Sequence, residues 1–324
     1  MNKTLYALST AFAVVAAAQA QDRLPAGYPT KPVRIVIGIA PGGGLDSMTR
    51  VGAQKLSDKW GQSVIVDNRP GGGTLVGMDI VAQAPADGYT LLGASDTLML
   101  NGVLGRAKYD VRKAFAPIVQ LSSQSYVMAV TASLPVKTVK ELIDYARARP
   151  GALSYGSQGL GTNGHIGMER FKSMTGTDMV HVPYKGSAPA LIDVLSGQIQ
   201  LTFASTVASA SHIKSGRLKG IAVTGARRTQ AYPAMPTVSE SGVPGFELTN
   251  SYNYYAPAGT PRAIIREISR VVGQGMNSPE TVKHLAADGS EPAPPSTPEA
   301  FKVKFEKDYA DVEKLIRAAN IKFQ

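Results

Sequence analysis

Three times along this 324-residue chain a short strand-like run meets a cluster of glycines and then a helical pattern. That order limits the fold more than any other feature. A strand that feeds a helix and returns parallel builds a sheet covered on both faces. The first instance runs from Val33-Arg34-Ile35-Val36-Ile37 through Pro41-Gly42-Gly43-Gly44 into a helix with Met48, Val51, Leu56 and Trp60 inward and Gly61 as its stop. Residues 63–66 form the next strand. Arg69-Pro70-Gly71-Gly72-Gly73 is the second glycine loop, and Thr74 is the expected N-cap of a helix ending near Ala84-Pro85. Asp87-Gly88 then turns into a strand over 89–94.

The same grammar returns further on. Thr138 and Glu141 have the spacing of a capping box ahead of Leu142, Ile143 and Ala146, and Pro150-Gly151 ends that helix. A strand over 153–156 leads to a glycine loop over 159–164 and a helix over 165–175, stopped by Gly176. A strand over 179–182, a helix over 188–196 and strands over 199–203 and 218–224 complete a second α/β unit. A proline-rich connection from Pro233 to Pro244 precedes a strand over 246–255, and Pro261 opens another helix. Thr297-Pro298-Glu299 starts a terminal helix whose apolar face is Phe301, Phe305, Val312, Leu315 and Ile316. Docking of that face on the first unit makes the second an insertion joined by two crossings. The expected lobes are therefore residues 28–124 with 250–324, and residues 125–249. Such a clamshell holds its cleft at the carboxyl ends of the parallel strands.

Composition removes several classes of function. Cys 0 excludes disulfide scaffolds, thiol nucleophiles and cysteine-ligated metal, and the four histidines (His165, His181, His212, His284) show no ligand spacing. No metal or other cofactor is expected. Net charge is +10, which suits an anionic ligand, but no Lys/Arg-rich block suggests nucleic acid. Lys3, the apolar run from Leu5 to Ala18 and Ala18-Gln19-Ala20 read as a cleavable secretory signal over residues 1–20, with no cysteine to carry a lipid anchor.

The glycine loops invite sharper readings. Gly42, Gly43 and Gly44 put main-chain N–H groups at a helix start, where a negative ligand is favoured. Asp46 is either a plain cap or a ligand contact. Gly159-Leu160-Gly161-Thr162-Asn163-Gly164 matches G-x-G-x-x-G, yet it lies in mid-chain and Asp178 follows too soon for a ribose-binding acid, so a dinucleotide site is rejected. Residues 69–74 lack the Gly-Lys-Ser/Thr ending of a phosphate loop. Residues 156–159 fail as a nucleophile elbow because position 155 is Tyr. His165, at a helix start beside the third loop, is a candidate ligand contact. Lys185 follows a strand toward the cleft but reads equally as a solvated charge. Tyr252, Tyr254 and Tyr255 read as packing residues. With no nucleophile–base pair, metal set or cofactor fingerprint, the pattern suits a binder. A rival, an exported hydrolase using Ser157 or His165, would need a base and an oxyanion donor that the sequence does not identify.

Several runs taken together carry a family resemblance. They are Ala40-Pro41-Gly42-Gly43-Gly44-Leu45-Asp46, Val66-Asp67-Asn68-Arg69-Pro70-Gly71-Gly72-Gly73, Ala86-Asp87-Gly88-Tyr89-Thr90-Leu91-Leu92, Val182-Pro183-Tyr184-Lys185-Gly186, Pro236-Thr237-Val238-Ser239-Glu240-Ser241-Gly242 and Ala256-Pro257-Ala258-Gly259-Thr260-Pro261. The chain resembles the Bug-type extracytoplasmic receptors of tripartite tricarboxylate transporters. The resemblance implies a type II periplasmic-binding-protein fold, with each lobe a mostly parallel sheet flanked by helices and two crossing strands at the hinge. It implies a monomeric periplasmic receptor that holds a small organic acid in the cleft and delivers it to membrane permease subunits; a variant reading hands the signal to a sensor protein. Carried over by position, the site is Ile39, Gly42, Gly43, Asp46, Ser95 and Thr97 from the first lobe. Ser157, Gly161, Thr162, His165, Tyr184 and the Phe203-Ala204-Ser205 strand end come from the second. Ile39 stands where many members carry an aromatic residue. Ala204 stands where amino-acid-binding members tend to have Asp, and an ammonium buried without a counter-charge is costly. The expected ligand is therefore a carboxylic acid without an amine.

Overall fold

The computed structural model describes residues 24–287 and 290–319, so the expected signal over residues 1–20 lies outside the described residues. The architecture is α/β with a mixed sheet in two halves. In the first half, β1 (Val33–Ile37) pairs in parallel with β2 (Val64–Asn68) and β3 (Thr90–Ser95). Helices α1 (Gly44–Trp60), α2 (Leu75–Ala82) and α3 (Thr97–Val103) follow the carboxyl ends of β1, β2 and β3 in turn. Each strand therefore delivers its loop, and the helix start after it, to the same end of the sheet.

The strand β4 (Phe115–Thr131) is the element that sequence reading did not identify, and it organises everything else. Seventeen residues long, it lies antiparallel to β9 (Thr249–Pro257) from Phe115 to Ser125. From Tyr126 onward it is antiparallel to β7 (Leu201–Ser205), and it also pairs with β8 (Leu218–Val223). One continuous strand thus belongs to both halves. The chain returns beside it, where Leu248 N–H donates to Thr224 O at 2.7 Å and the Thr224 hydroxyl donates to Leu248 O at 2.6 Å.

The second half repeats the first. Strand β5 (Ser154–Ser157) is parallel to β6 (Val180–Pro183) and to β7, and it is preceded by α4 (Val139–Ala148). Helices α5 (Asn163–Thr175), α6 (Ser187–Ser196) and α7 (Thr206–Lys214) start from the carboxyl ends of β5, β6 and β7. The capping box at α4 forms: Thr138 Oγ1 accepts the Glu141 N–H at 3.1 Å, while Glu141 reaches back to the Lys137 N–H at 2.6 Å, one residue before the cap. Thr74 sits where a cap was expected but at φ 80°, and its hydroxyl makes no cap hydrogen bond.

The end of the chain closes the first half. Helices α8 (Arg262–Met276) and α9 (Pro279–Ala287) precede the short strand β10 (Ser290–Pro292), which pairs with β4. Helix α10 (Pro298–Ala319) then buries Phe301, Phe305 and Tyr309 against Val36, Met78, Leu92 and Tyr255. The first half therefore contains both ends of the described chain, while the second half has its own core around Tyr155, Phe171, Phe203 and Phe246. Val312 and Ile316 stay half-exposed, and the Leu315 side chain lies outside the described residues. No helix among the described residues is long and apolar enough to cross a membrane.

Candidate functional site

The carboxyl ends of both sets of parallel strands face one another, and the helix starts they carry close on a small cavity of about 30 Å³. Ile39, Gly44, Leu45, Thr74, Ser95 and Thr97 line it from the first half, and Gln158, Thr162 and Ser187 from the second. Tyr126 of β4 and Asn250 and Tyr252 of β9 form the floor between them. Three helices that open onto it, α1, α5 and α6, have Gly43, Thr162 and Gly186 at their N-caps and no side-chain cap hydrogen bond. The first turns of α5 and α6 hold no acidic side chain, so the positive ends of their dipoles face the cavity unopposed, whereas α1 carries Asp46 in its first turn. By contrast, the helices capped by Thr138 and Ser205 begin at residues outside the lining.

The glycines serve closure of the two halves on one another. A Cβ at Gly43 would lie 2.6 Å from Ser187 Oγ, and one at Gly159 would lie 3.2 Å from Gly73 Cα. At Gly186 it would come within 3.3 Å of the Ala40 nitrogen. These close approaches bring main chain onto main chain. Ala40 N–H donates to Lys185 O at 2.7 Å across the gap, and Asn163 N–H donates to Thr97 Oγ1 at 3.3 Å. Gly44 has a different reason: a Cβ there would collide with the Tyr252 hydroxyl, which accepts a hydrogen bond from Gln124.

Of the residues expected at the site, Ile39, Ser95, Thr97 and Thr162 line the cavity, with Gly43 directly behind its rim. The others serve neighbouring roles. Gly42 donates its N–H to Asp46 Oδ2 at 3.0 Å. Asp46 lies inside the first turn of α1 and not at its cap, with its carboxylate also held by Arg50 at 2.9 Å and Asn68 at 3.0 Å. Burial would raise its pKa, but these hydrogen bonds and the Arg50 charge outweigh it and hold the carboxyl below its usual range. Tyr184 donates to Asp193 at 2.6 Å, Ser205 caps α7, and Ala204 packs with Ala129, Leu191 and Val194.

Ser157, Gly161 and His165 belong to a cluster beside the cavity that includes His181. The two histidine rings stack at 3.9 Å, and Tyr155 stacks on His181 at 4.9 Å. Gly161 N–H donates to His165 Nδ1 at 3.1 Å, and Ser157 Oγ meets His181 Nε2 at 2.7 Å. The Ser157 hydroxyl also exchanges hydrogen bonds with Gly159 and is 1 % exposed. This serine–histidine pair is absent from the cavity lining, and its hydroxyl is engaged by its own loop. Leu45, Thr74, Tyr126, Gln158, Ser187, Asn250 and Tyr252 were not expected at the site; Leu45, Thr74, Gln158 and Ser187 stand beside glycines that follow strands, the local signal that could have drawn attention to them.

No Asp, Glu, Lys, Arg or His lines the cavity, and no group of residues suited to a metal ion occurs among the described residues. Two α/β halves sharing a strand, closed over a neutral cavity lined by hydroxyls, amides and helix starts, define a solute-binding protein of the periplasmic-binding type. Comparison with known proteins specifies the family. Residues 48–321 match the tripartite tricarboxylate transporter family receptor, and the chain belongs to that family. It is 34 % identical over 268 residues to protein BugT of Bordetella pertussis, covering 82 % of each chain. It is 32 % identical over 308 residues to a protein encoded in the tcbD-tcbE intergenic region of a Pseudomonas species, covering 94 % of this chain and 91 % of the other. Among solved structures it is similar to R. palustris Rpa4515 with adipate, at 36 % identity and a TM-score of 0.87 over 91 % of this chain and 99 % of that one. The periplasmic binding protein BugD matches at 28 % identity and a TM-score of 0.87, over 92 % of this chain and all of BugD.

Two expectations follow. Alanine at Gly43 suits the local backbone (φ −91°) but meets Ser187 Oγ, so Gly43→Ala will fold normally and bind its ligand roughly ten- to a hundredfold more weakly. Adding Ser187→Ala relieves the clash but removes a lining hydroxyl, so it will restore only part of the loss, as calorimetric titration would register. The second concerns acid. Burial lowers the pKa of both stacked histidines to about 4, and for His165 the neighbouring His181 adds to the effect. The folded state thus prefers them neutral, so their contribution is complete above about pH 6.5 and declines as pH falls toward about 4. Thermal unfolding across that window will fall more steeply for the parent protein than for a His165→Gln/His181→Gln variant.

Proposed function

We propose that the protein is an exported receptor that captures a small organic acid lacking an amine and delivers it to the membrane permease of a tripartite tricarboxylate transporter. Its lobes in this reading are residues 28–124 with 250–324 and residues 125–249, rotating about β4 and the return strand. Residues 1–20 direct export to the periplasm.

The observation that carries the reading is the neutral cavity closed between two halves whose helix starts converge on it. An anion entering such a site exchanges water for N–H and O–H donors from both halves, so the closed form gains affinity that the open form lacks. Bridging waters are compatible with this, because a water between an amide and a carboxylate keeps both hydrogen bonds at modest entropic cost. Family membership and the adipate held by a relative at 36 % identity support an acid as cargo. The lack of an acidic side chain in the lining disfavours an ammonium, which would be buried without a partner. Ala204 packs with Ala129, Leu191 and Val194 outside the lining; the same conclusion now rests on the whole lining.

Titration calorimetry against matched acids tests this. Adipate and shorter dicarboxylates are expected to bind at least tenfold more tightly than glutamate or aspartate. An amino acid that outcompetes every amine-free acid would overturn the ligand class, and failure of all acids to bind would overturn the receptor reading.

A further inference from the structure

Arg106 occupies the seam between the second and third glycine loops. It follows α3 in the first half, and its Nη1 donates to Asn101 Oδ1 at 2.8 Å and its Nη2 to Gly72 O at 3.1 Å. Both of those partners also belong to the first half, so the guanidinium is set in place before closure. Its remaining bond crosses the gap: Nη1 also donates to Leu160 O in the loop between β5 and α5. No carboxylate pairs with Arg106 among the described residues. Partial burial is the cause that pulls its guanidinium below the ordinary value. A half-buried cation held only by neutral acceptors depends strongly on each of them, because hydrogen bonds from charged donors are about twice as strong as neutral ones.

The glycines on both sides make room for it. A Cβ at Gly161 would lie 2.5 Å from Arg106 Nη1, and one at Gly73 would lie 2.8 Å from the same atom and collide with Leu160 O. Both glycines have positive φ, 73° and 64°, which other residues rarely adopt. The seam is also tied to the cavity wall. Asn101, fully buried, donates its amide to Gly73 O at 2.9 Å and to Thr74 Oγ1 at 3.0 Å. Thr74 lines the cavity, and among the described residues it is the one non-glycine residue with positive φ. Strained backbone of this kind persists where surrounding contacts hold it.

We infer that Arg106 is the latch of the closed state, and that Thr74 and Asn101 connect it to the bound acid. It is a positioning residue: it does not line the cavity, but it sets how long the cavity stays shut. The inference rests on the proposed capture of an acid, and it predicts a kinetic split that a merely structural role would not give. Loss of the latch speeds release and leaves entry nearly unchanged.

The absence of cysteine allows clean double spin labelling at Ile65→Cys in the first half and Ile192→Cys in the second, both exposed positions. Distance distributions with and without saturating adipate, together with stopped-flow adipate binding, are measured for the parent, Arg106→Gln and Arg106→Lys. The expected result is a smaller closed population in Arg106→Gln, with adipate leaving about tenfold faster and entering within twofold of the parent rate. Arg106→Lys, which keeps the charge but loses the fork, will lie between them and serves as the readout if Arg106→Gln unfolds. An unchanged closed population, or a loss carried by slower entry, would overturn the latch. If adipate does not bind the parent protein, the ligand reading fails separately, and the latch is judged on the ligand-free distributions.

Discussion

Main chain meeting main chain across the cleft is the contact on which this structure depends. A side chain at Gly73 would collide with Leu160 O and one at Gly43 with the Ser187 hydroxyl, and at Gly159 or Gly186 it would crowd the opposite half by a few tenths of an ångström. The absence of such side chains lets Ala40 bond directly to Lys185, and lets helix starts from both halves share one enclosed space. Glycine clusters after strands often suggest a phosphate cradle. In this protein what the backbone approaches so closely is chiefly the opposite lobe.

That closeness explains how a neutral cavity can suit an anion. With no lysine or arginine in the lining, a carboxylate would be stabilised by dipoles fixed in direction by the helices and by the hydroxyls of Ser95, Thr97 and Ser187. Those donors come from opposite halves, so the full set exists only when the halves are together. A formal cation in either half would attract an acid to the open state as well and weaken the link between occupancy and closure. The basic surface of the chain can still raise the encounter rate from a distance.

Much of this was legible in the residues. Strand, glycine and helix recur in an order that leads to parallel sheets, and the aromatic face of the terminal helix foretold that it would return to the first half. The family resemblance was confirmed. β4 was not legible, because burial on both faces, Pro117 and the polar Ser122–Ser123–Gln124–Ser125 stretch leave no alternating pattern. The cavity was read in part. Ile39, Ser95, Thr97 and Thr162 stand next to strand ends and glycines, where local sequence points. Tyr126, Asn250 and Tyr252 reach it only because β4 and β9 cross beneath, and Asp46 turns away because Arg50 and Asn68 lie on one side of it. Pairwise geometry of that sort has no signature along the chain.

A crystal structure of the protein soaked with adipate bears most directly on the central claim. The account predicts a carboxylate bonded, directly or through one water, to main-chain N–H groups at the starts of α1 and of α5 or α6, with no lysine or arginine side chain touching it. An acid anchored by a cationic side chain, or seated on one lobe while the cleft stands open, would contradict it.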